Sequence, residues 1–128
     1  MSKRGSTKEG FAKSKKHIHG EKPHPVYYKK KSRKEDDIEY ITLSHQQNIK
    51  LNDGREITAI ELEDNINPSE RGSDKKSHVV PIVYEGKRSS LGKNENSYSF
   101  TEKVKTVIDR IFMTAPKEKA PQKNKKKK

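Results

Sequence analysis

The stretch from His24 to His45, HPVYYKKKSRKEDDIEYITLSH, sets two short apolar, aromatic-rich runs on either side of a hinge that carries five cations and four acids. β-Branched and aromatic side chains in runs this short fill a pleated surface, and the charge between them belongs on a solvated turn. The stretch therefore reads as two strands. HPVYY opens the first, where Pro25 is admissible only at a strand start or edge because it has no N–H for the ladder. IEYITLSH forms the second, with apolar residues on both faces.

Working outward, NIKL and REITAIEL flank Asp53-Gly54, a dipeptide that supplies the positive backbone angle of a tight hairpin turn. A loop rich in turn formers, EDNINPSERGSDKKS, leads to HVVPIVYEG, a strand that Pro81 consigns to an edge or a bulge. After a polar loop the period changes: Phe100, Val104, Val107, Ile108, Ile111 and Phe112 recur at helical spacing. This predicts one amphipathic helix over about 99–114, started by a capping box of Ser99 and Glu102 and stopped before Pro116. Some five short strands and one terminal helix are best buried as a small, half-open, antiparallel SH3-like barrel with the helix against it. The fold class is mainly β with one C-terminal α-helix.

The chain has 128 residues, 27% of them hydrophobic, and a formal net charge of +12. Residues 1–34 carry +10, residues 35–114 carry −4 and residues 115–128 carry +6, so the positive excess lies at the ends. Segments so poor in apolar surface cannot offset the entropy of folding. The expected organisation is a disordered basic arm over 1–22, a barrel domain over 23–114 and a disordered lysine-rich tail over 115–128. The sequence has no Cys, which removes thiolate and disulfide chemistry and fits a reducing, cytoplasmic setting. It has no apolar run long enough for a membrane span and no signal-peptide pattern at its N-terminus.

The order of pieces HPVYY, YITLSH, NINP, HVVPIVYEGKRSSLG and SFTEKVKTVIDRIF, over about residues 23–114, resembles small PemK/MazF-like proteins of Gram-positive mobile genetic elements. The resemblance implies an SH3-like barrel and an RNA-related role, with metal-independent endoribonuclease as the activity if the chain is an enzyme.

Metal-free RNA cleavage needs a base, an acid and a cation, and imidazole serves as either of the first two near neutral pH. His24, His45 and His78 are the available histidines at strand ends, with Ser44, Arg55 and Arg88 as helpers; His24, His45 and Arg88 are the catalytic candidates. Spacing alone does not gather them, and solvated strand termini are the plainer account. His17 and His19 offer only two ligands, so no metal and no cofactor is expected. Glu35, Asp36, Asp37 and Glu39 are read as neutralising the hinge.

Clustered lysine and arginine give affinity for phosphates by releasing counterions. The candidate RNA contacts are Lys13, Lys15 and Lys16 in the arm; Tyr28, Lys29, Lys30, Lys31, Arg33 and Lys34 in the hinge; Lys87 and Arg88; and the terminal Lys125, Lys126, Lys127 and Lys128. Tyr27, Tyr28 and Tyr40 suit either base stacking or the core. Three partner readings follow. The first is an RNA-binding barrel, with catalysis left open. The second is an anti-defence, anti-CRISPR-type inhibitor that engages an effector nuclease or its guide RNA. The third is a ribosome-associated basic protein. Charge on the ends predicts that RNA affinity falls with salt at a log–log slope of about −3 to −6, for roughly 5–8 phosphates on a single strand. Deleting both ends should flatten that slope in a salt titration.

Overall fold

The computed structural model describes residues 9–14, 24–31, 36–51, 53–70 and 75–119. Its centre is the predicted strand pair. β2 (Pro25–Lys30) and β3 (Asp37–Ser44) run antiparallel with Tyr27 opposite Ile41 and Tyr28 opposite Tyr40. Successive side chains point to opposite faces of a strand, so each apolar pair serves a different core.

The expected unstructured N-terminal arm is corrected here. Glu9–Ser14 forms β1, antiparallel to β2 with Phe11 opposite Tyr27. Two buried apolar side chains, Phe11 and Ala12, suffice because a strand needs only one apolar residue per face when its neighbours supply the rest. Lys117–Lys119 of the expected C-terminal tail likewise forms β10, parallel to β8 (Val83–Lys87). The structured body thus runs from Glu9 to Lys119 rather than from 23 to 114. Residues 1–8, 15–22 and 120–128 of the two expected ends lie outside the described set.

With β9 (Leu91–Asn94) on the far side of β1, the sheet order is β10-β8-β3-β2-β1-β9. Among the described residues its two outer strands do not pair, so the rolled sheet is half open. The segment expected as one strand around Pro81 is two: β7 (His78–Val79) pairs with the end of β3, and β8 pairs with its first half. Pro81, which has no N–H to donate, sits at the break, where Val80 N donates to Thr42 O at 3.0 Å and Ile82 N to Val80 O at 2.8 Å. REITAIEL divides in the same way at Ala59. β4 (Asn48–Lys50) pairs with β5 (Glu56–Thr58) around Gly54, whose φ is +96°, and β6 (Ile60–Glu61) pairs with β7. Only glycine takes that angle without strain.

Both faces of the sheet are covered. On the inner face Val26, Tyr28, Ile38, Tyr40 and Tyr84 meet Ile49, Leu51 and Ala59 from the β4–β5 region. On the outer face Phe11, Tyr27, Ile41, Leu43 and Val83 meet α1 (Glu102–Thr114) through Val104, Ile108, Ile111 and Phe112. Val107, placed on that stripe by its spacing, is 39% exposed. The helix is capped by Thr101, which accepts from Val104 N at 3.3 Å, not by the Ser99–Glu102 pair. No described helix is long and apolar enough to cross a membrane.

Phe11→Ala should destabilise the protein by about 3 kcal/mol, the low end for a buried phenylalanine, read as a lowered urea midpoint. A midpoint equal to wild type would detach β1 from the fold.

Candidate active-site cleft

His24 stands just before β2, and its backbone is tied to β1. The Ser14 hydroxyl accepts from His24 N at 3.1 Å, and Ser14 N donates to His24 O at 3.0 Å. At the end of β3 the Ser44 hydroxyl accepts from Gln46 N at 3.1 Å, a short side-chain turn that carries the chain into β4 and leaves His45 exposed. β2 and β3 are antiparallel, so the start of one meets the end of the other. Both histidines therefore stand at the same end of the sheet.

The third wall is the NINP loop, which is held by its own side chains. Asn65 is only 2% exposed. Its carbonyl accepts from Asn67 N at 2.9 Å and its amide donates to Lys75 O. Ser77 accepts from Ile66 N at 3.0 Å, and Ser99 N donates to Ile66 O at 2.9 Å. Asn67 in turn accepts from both the backbone and the hydroxyl of Ser69, at 3.1 and 2.9 Å. A loop whose amides are satisfied internally keeps its shape without a large core.

These three elements enclose a cavity of about 710 Å³, lined by His24, Ser44, His45, Lys50, Asn65, Asn67, Glu70, Ser77 and Tyr98 over an apolar base of Pro25, Leu43, Ile49 and Ile66. Two imidazoles, one ammonium, one carboxylate and several amide and hydroxyl groups thus line one space. Their chemistry is that of proton transfer beside an anion.

Arg88 is not in that space. Its backbone N donates to Asp36 O at 2.8 Å, at the far end of β3 and roughly 23 Å of strand from Ser44. Its guanidinium lies 4.9 Å over the Tyr28 ring and donates to Gly92 O at 2.8 Å and to Asn94. The catalytic grouping of Arg88 with the histidines is corrected accordingly, and Lys50 is the cation in the cleft. Arg55 is also elsewhere, paired through both terminal nitrogens with Glu118 at 2.8 Å. His78 is 8% exposed, cross-strand from Ser44 and Glu61, and does not line the cavity.

The tyrosines are core residues. Tyr28 is 2% exposed and covered by Arg88, so it has no face for a base, and Tyr27 and Tyr40 are equally buried. Two hinge cations and Lys87 are paired: Lys29 with Asp109 at 3.0 Å, Lys31 with Glu85 at 3.0 Å, and Lys87 with Asp37. Lys13 is exposed on β1 and Lys30 is half-buried. The acids expected to neutralise the hinge are spent differently. Glu39 pairs with Lys117 at 2.8 Å, and hydrogen bonds from Ser89 hold the Asp36 carboxyl below its usual range. His17, His19, Lys15, Lys16, Arg33, Lys34, Glu35 and Lys125 to Lys128 lie outside the described residues.

Sequence reading missed Lys50, Asn65, Asn67, Glu70, Ser77 and Tyr98. The signal for two of them was present: Asn-x-Asn-Pro is a loop in which amides bond their own backbone. No protein-family model matches the chain, and no curated protein or solved structure matches it.

Asn65→Ala removes the side-chain bonds to Asn67 N and Lys75 O from a buried position and should cost about 1–3 kcal/mol in denaturant unfolding. Asn67→Ala, whose bonds are solvent-exposed, should cost less than half of that.

Proposed function

We propose that the protein binds single-stranded RNA and cleaves it by acid–base catalysis, with His24 and His45 as the proton-transfer pair. One observation carries this reading: two histidines 21 positions apart in sequence line one cavity together with Lys50. One imidazole takes the proton of a ribose 2′-hydroxyl, and the oxygen attacks the adjacent phosphorus. The second imidazole gives a proton to the departing 5′-oxygen as the P–O bond breaks. The products are a 2′,3′-cyclic phosphate and a free 5′-hydroxyl. The Lys50 ammonium offsets charge that builds on the phosphorane oxygens.

The charge of the chain supports an RNA partner. Of 30 Lys/Arg, 14 lie outside the described residues with only 3 of the 18 acids, so the described body is close to neutral and the segments joined to it carry almost all of the +12. Such segments neutralise phosphates without a fixed geometry and raise the local concentration of a polyanion. The cleft itself, with an apolar base and neutral amide donors, is suited to positioning rather than to long-range attraction.

His24→Ala and His45→Ala should each lower the cleavage rate by about 10²–10⁴ while binding of a 2′-O-methyl RNA stays within a few-fold of wild type. Arg88→Ala should cleave at the wild-type rate. Absence of turnover in the purified protein, or wild-type rates in both histidine variants, would refute the assignment.

A further inference from the structure

A second, shallower cavity of about 410 Å³ adjoins the cleft, and Tyr98 lines both. Its floor is an aromatic cluster. Phe11 and Phe100 have ring centroids 4.7 Å apart, Tyr27 and Phe100 4.7 Å, and Phe11 and Tyr98 5.7 Å, all tilted or edge-on. Phe11 and Tyr27 are buried, at 8% and 4% exposure, whereas Tyr98 and Phe100 are only partly buried at the margin of the outer core. The rim carries Glu9, Glu102 and Lys105. Glu9 is engaged, accepting from the Tyr27 hydroxyl and facing the Lys105 ammonium at 3.7 Å.

We infer that this trough is a nucleobase subsite, in which an unpaired base of the RNA strand stacks on Tyr98 and Phe100 while a neighbouring phosphodiester lies between His24 and His45. The inference rests on the RNA reading of the cleft and adds where the strand goes next. Continuity comes from Tyr98, the shared wall. The chemistry of the rim decides which part of a nucleotide enters: Glu9 and Glu102 repel a phosphate, and a base is uncharged and presents a flat π-face to the rings. A caged ammonium ion fits less well. A cage needs several open ring faces around one point, and here two of the four rings are already buried against their neighbours.

Nucleosides without phosphate provide a probe that does not depend on cleavage. Titrated at millimolar concentration into the full chain, guanosine and adenosine should shift the Tyr98 and Phe100 ring resonances. Tyr98→Leu should weaken binding of a short 2′-O-methyl RNA on the order of 5- to 100-fold, the effect of removing one stacked base, and Tyr98→Phe should restore it. Because Tyr98→Leu also touches the outer core, its unfolding midpoint is measured alongside, and the nucleoside shifts in wild type stand independently of that variant. Nucleosides that leave both rings unmoved, or a folded Tyr98→Leu that binds RNA like wild type, would overturn the subsite. So would ring shifts produced by tetramethylammonium and not by nucleosides, which would assign the trough to a cation. Loss of cleavage with the nucleoside shifts intact would remove the histidine mechanism and leave the subsite standing.

Discussion

β3 is hydrogen-bonded along both edges and covered on both faces, and the register of its eight residues decides where everything else can pack. Its inner face reads Ile38, Tyr40, Thr42, Ser44 and its outer face Asp37, Glu39, Ile41, Leu43. The outer face is therefore charged at the hinge end and apolar at the His45 end. A helix covering that face must lie over Ile41 and Leu43. α1 does so, reaching toward the hinge through Lys29, which bonds Asp109 and lies 4.8 Å over the Phe112 ring. A one-residue slip would turn Glu39 into the inner core and set Tyr40, Thr42 and Ser44 under the helix. Inside, Tyr28, Tyr40 and Tyr84 stand opposite one another across three strands, with Tyr40 and Tyr84 centroids 5.6 Å apart. Burial pushes the Tyr84 hydroxyl up to about 12 and the Tyr40 hydroxyl up as well, so both of these phenols are held in the neutral form.

The charged end of the outer face has its own arrangement. Glu39 and Glu85 are directly opposite in the β3–β8 ladder, a destabilising juxtaposition if left alone. Lys117 of β10 takes the first and Lys31 of the hinge takes the second. Each surface pair contributes little to stability. Their larger consequence is that Lys31, like Lys29 beside Asp109, is engaged with an acid of the same surface. The same logic applies at the β4–β5 hairpin, where the fork of Arg55 joins Glu118 and ties β10 to a strand pair outside the main sheet.

The strand pair, the Asp-Gly turn and the terminal helix were legible because each is signalled by residues adjacent in sequence. β1 was not. Its EGFAKS has one large apolar residue, and its pairing energy comes from the backbone ladder with β2 and from ring contacts to Tyr27, Tyr98 and Phe100, partners up to 89 positions away. β10 was hidden for the same reason, since KEK has no apolar side chain and is held by the β8 backbone and two ion pairs. At the site, His24 and His45 were identified as chemically capable groups, and antiparallel pairing of their strands was enough to bring them to one end of the sheet. Arg88 failed by the same geometry: a residue following β8, which runs antiparallel to β3, must end up at the opposite end. Lys50 gave no local signal, because one lysine in a chain with 30 Lys and Arg carries no information until a neighbour is known.

The position of the cleft follows from where the inner face stops being able to fill itself. Along β3 that face passes from Ile38 and Tyr40 to Thr42 and Ser44, so bulky side chains give way to short hydroxyls as the strand nears His45. Thr42 is fully buried and its hydroxyl finds no hydrogen-bond partner among the described residues, a cost of about 1–3 kcal/mol where valine would fit the same space. Pro25 and Pro81, each without an N–H, mark the start of β2 and the break between β7 and β8 beside the same end of the sheet. Short polar residues and interrupted ladders forgo stability there and leave a concave, polar-walled space over an apolar base. The tyrosine end of the barrel shows that this sequence can fill its interior. The histidine end departs from that packing where His24 and His45 line one cavity, and departures from internal consistency of this kind are expected at functional sites.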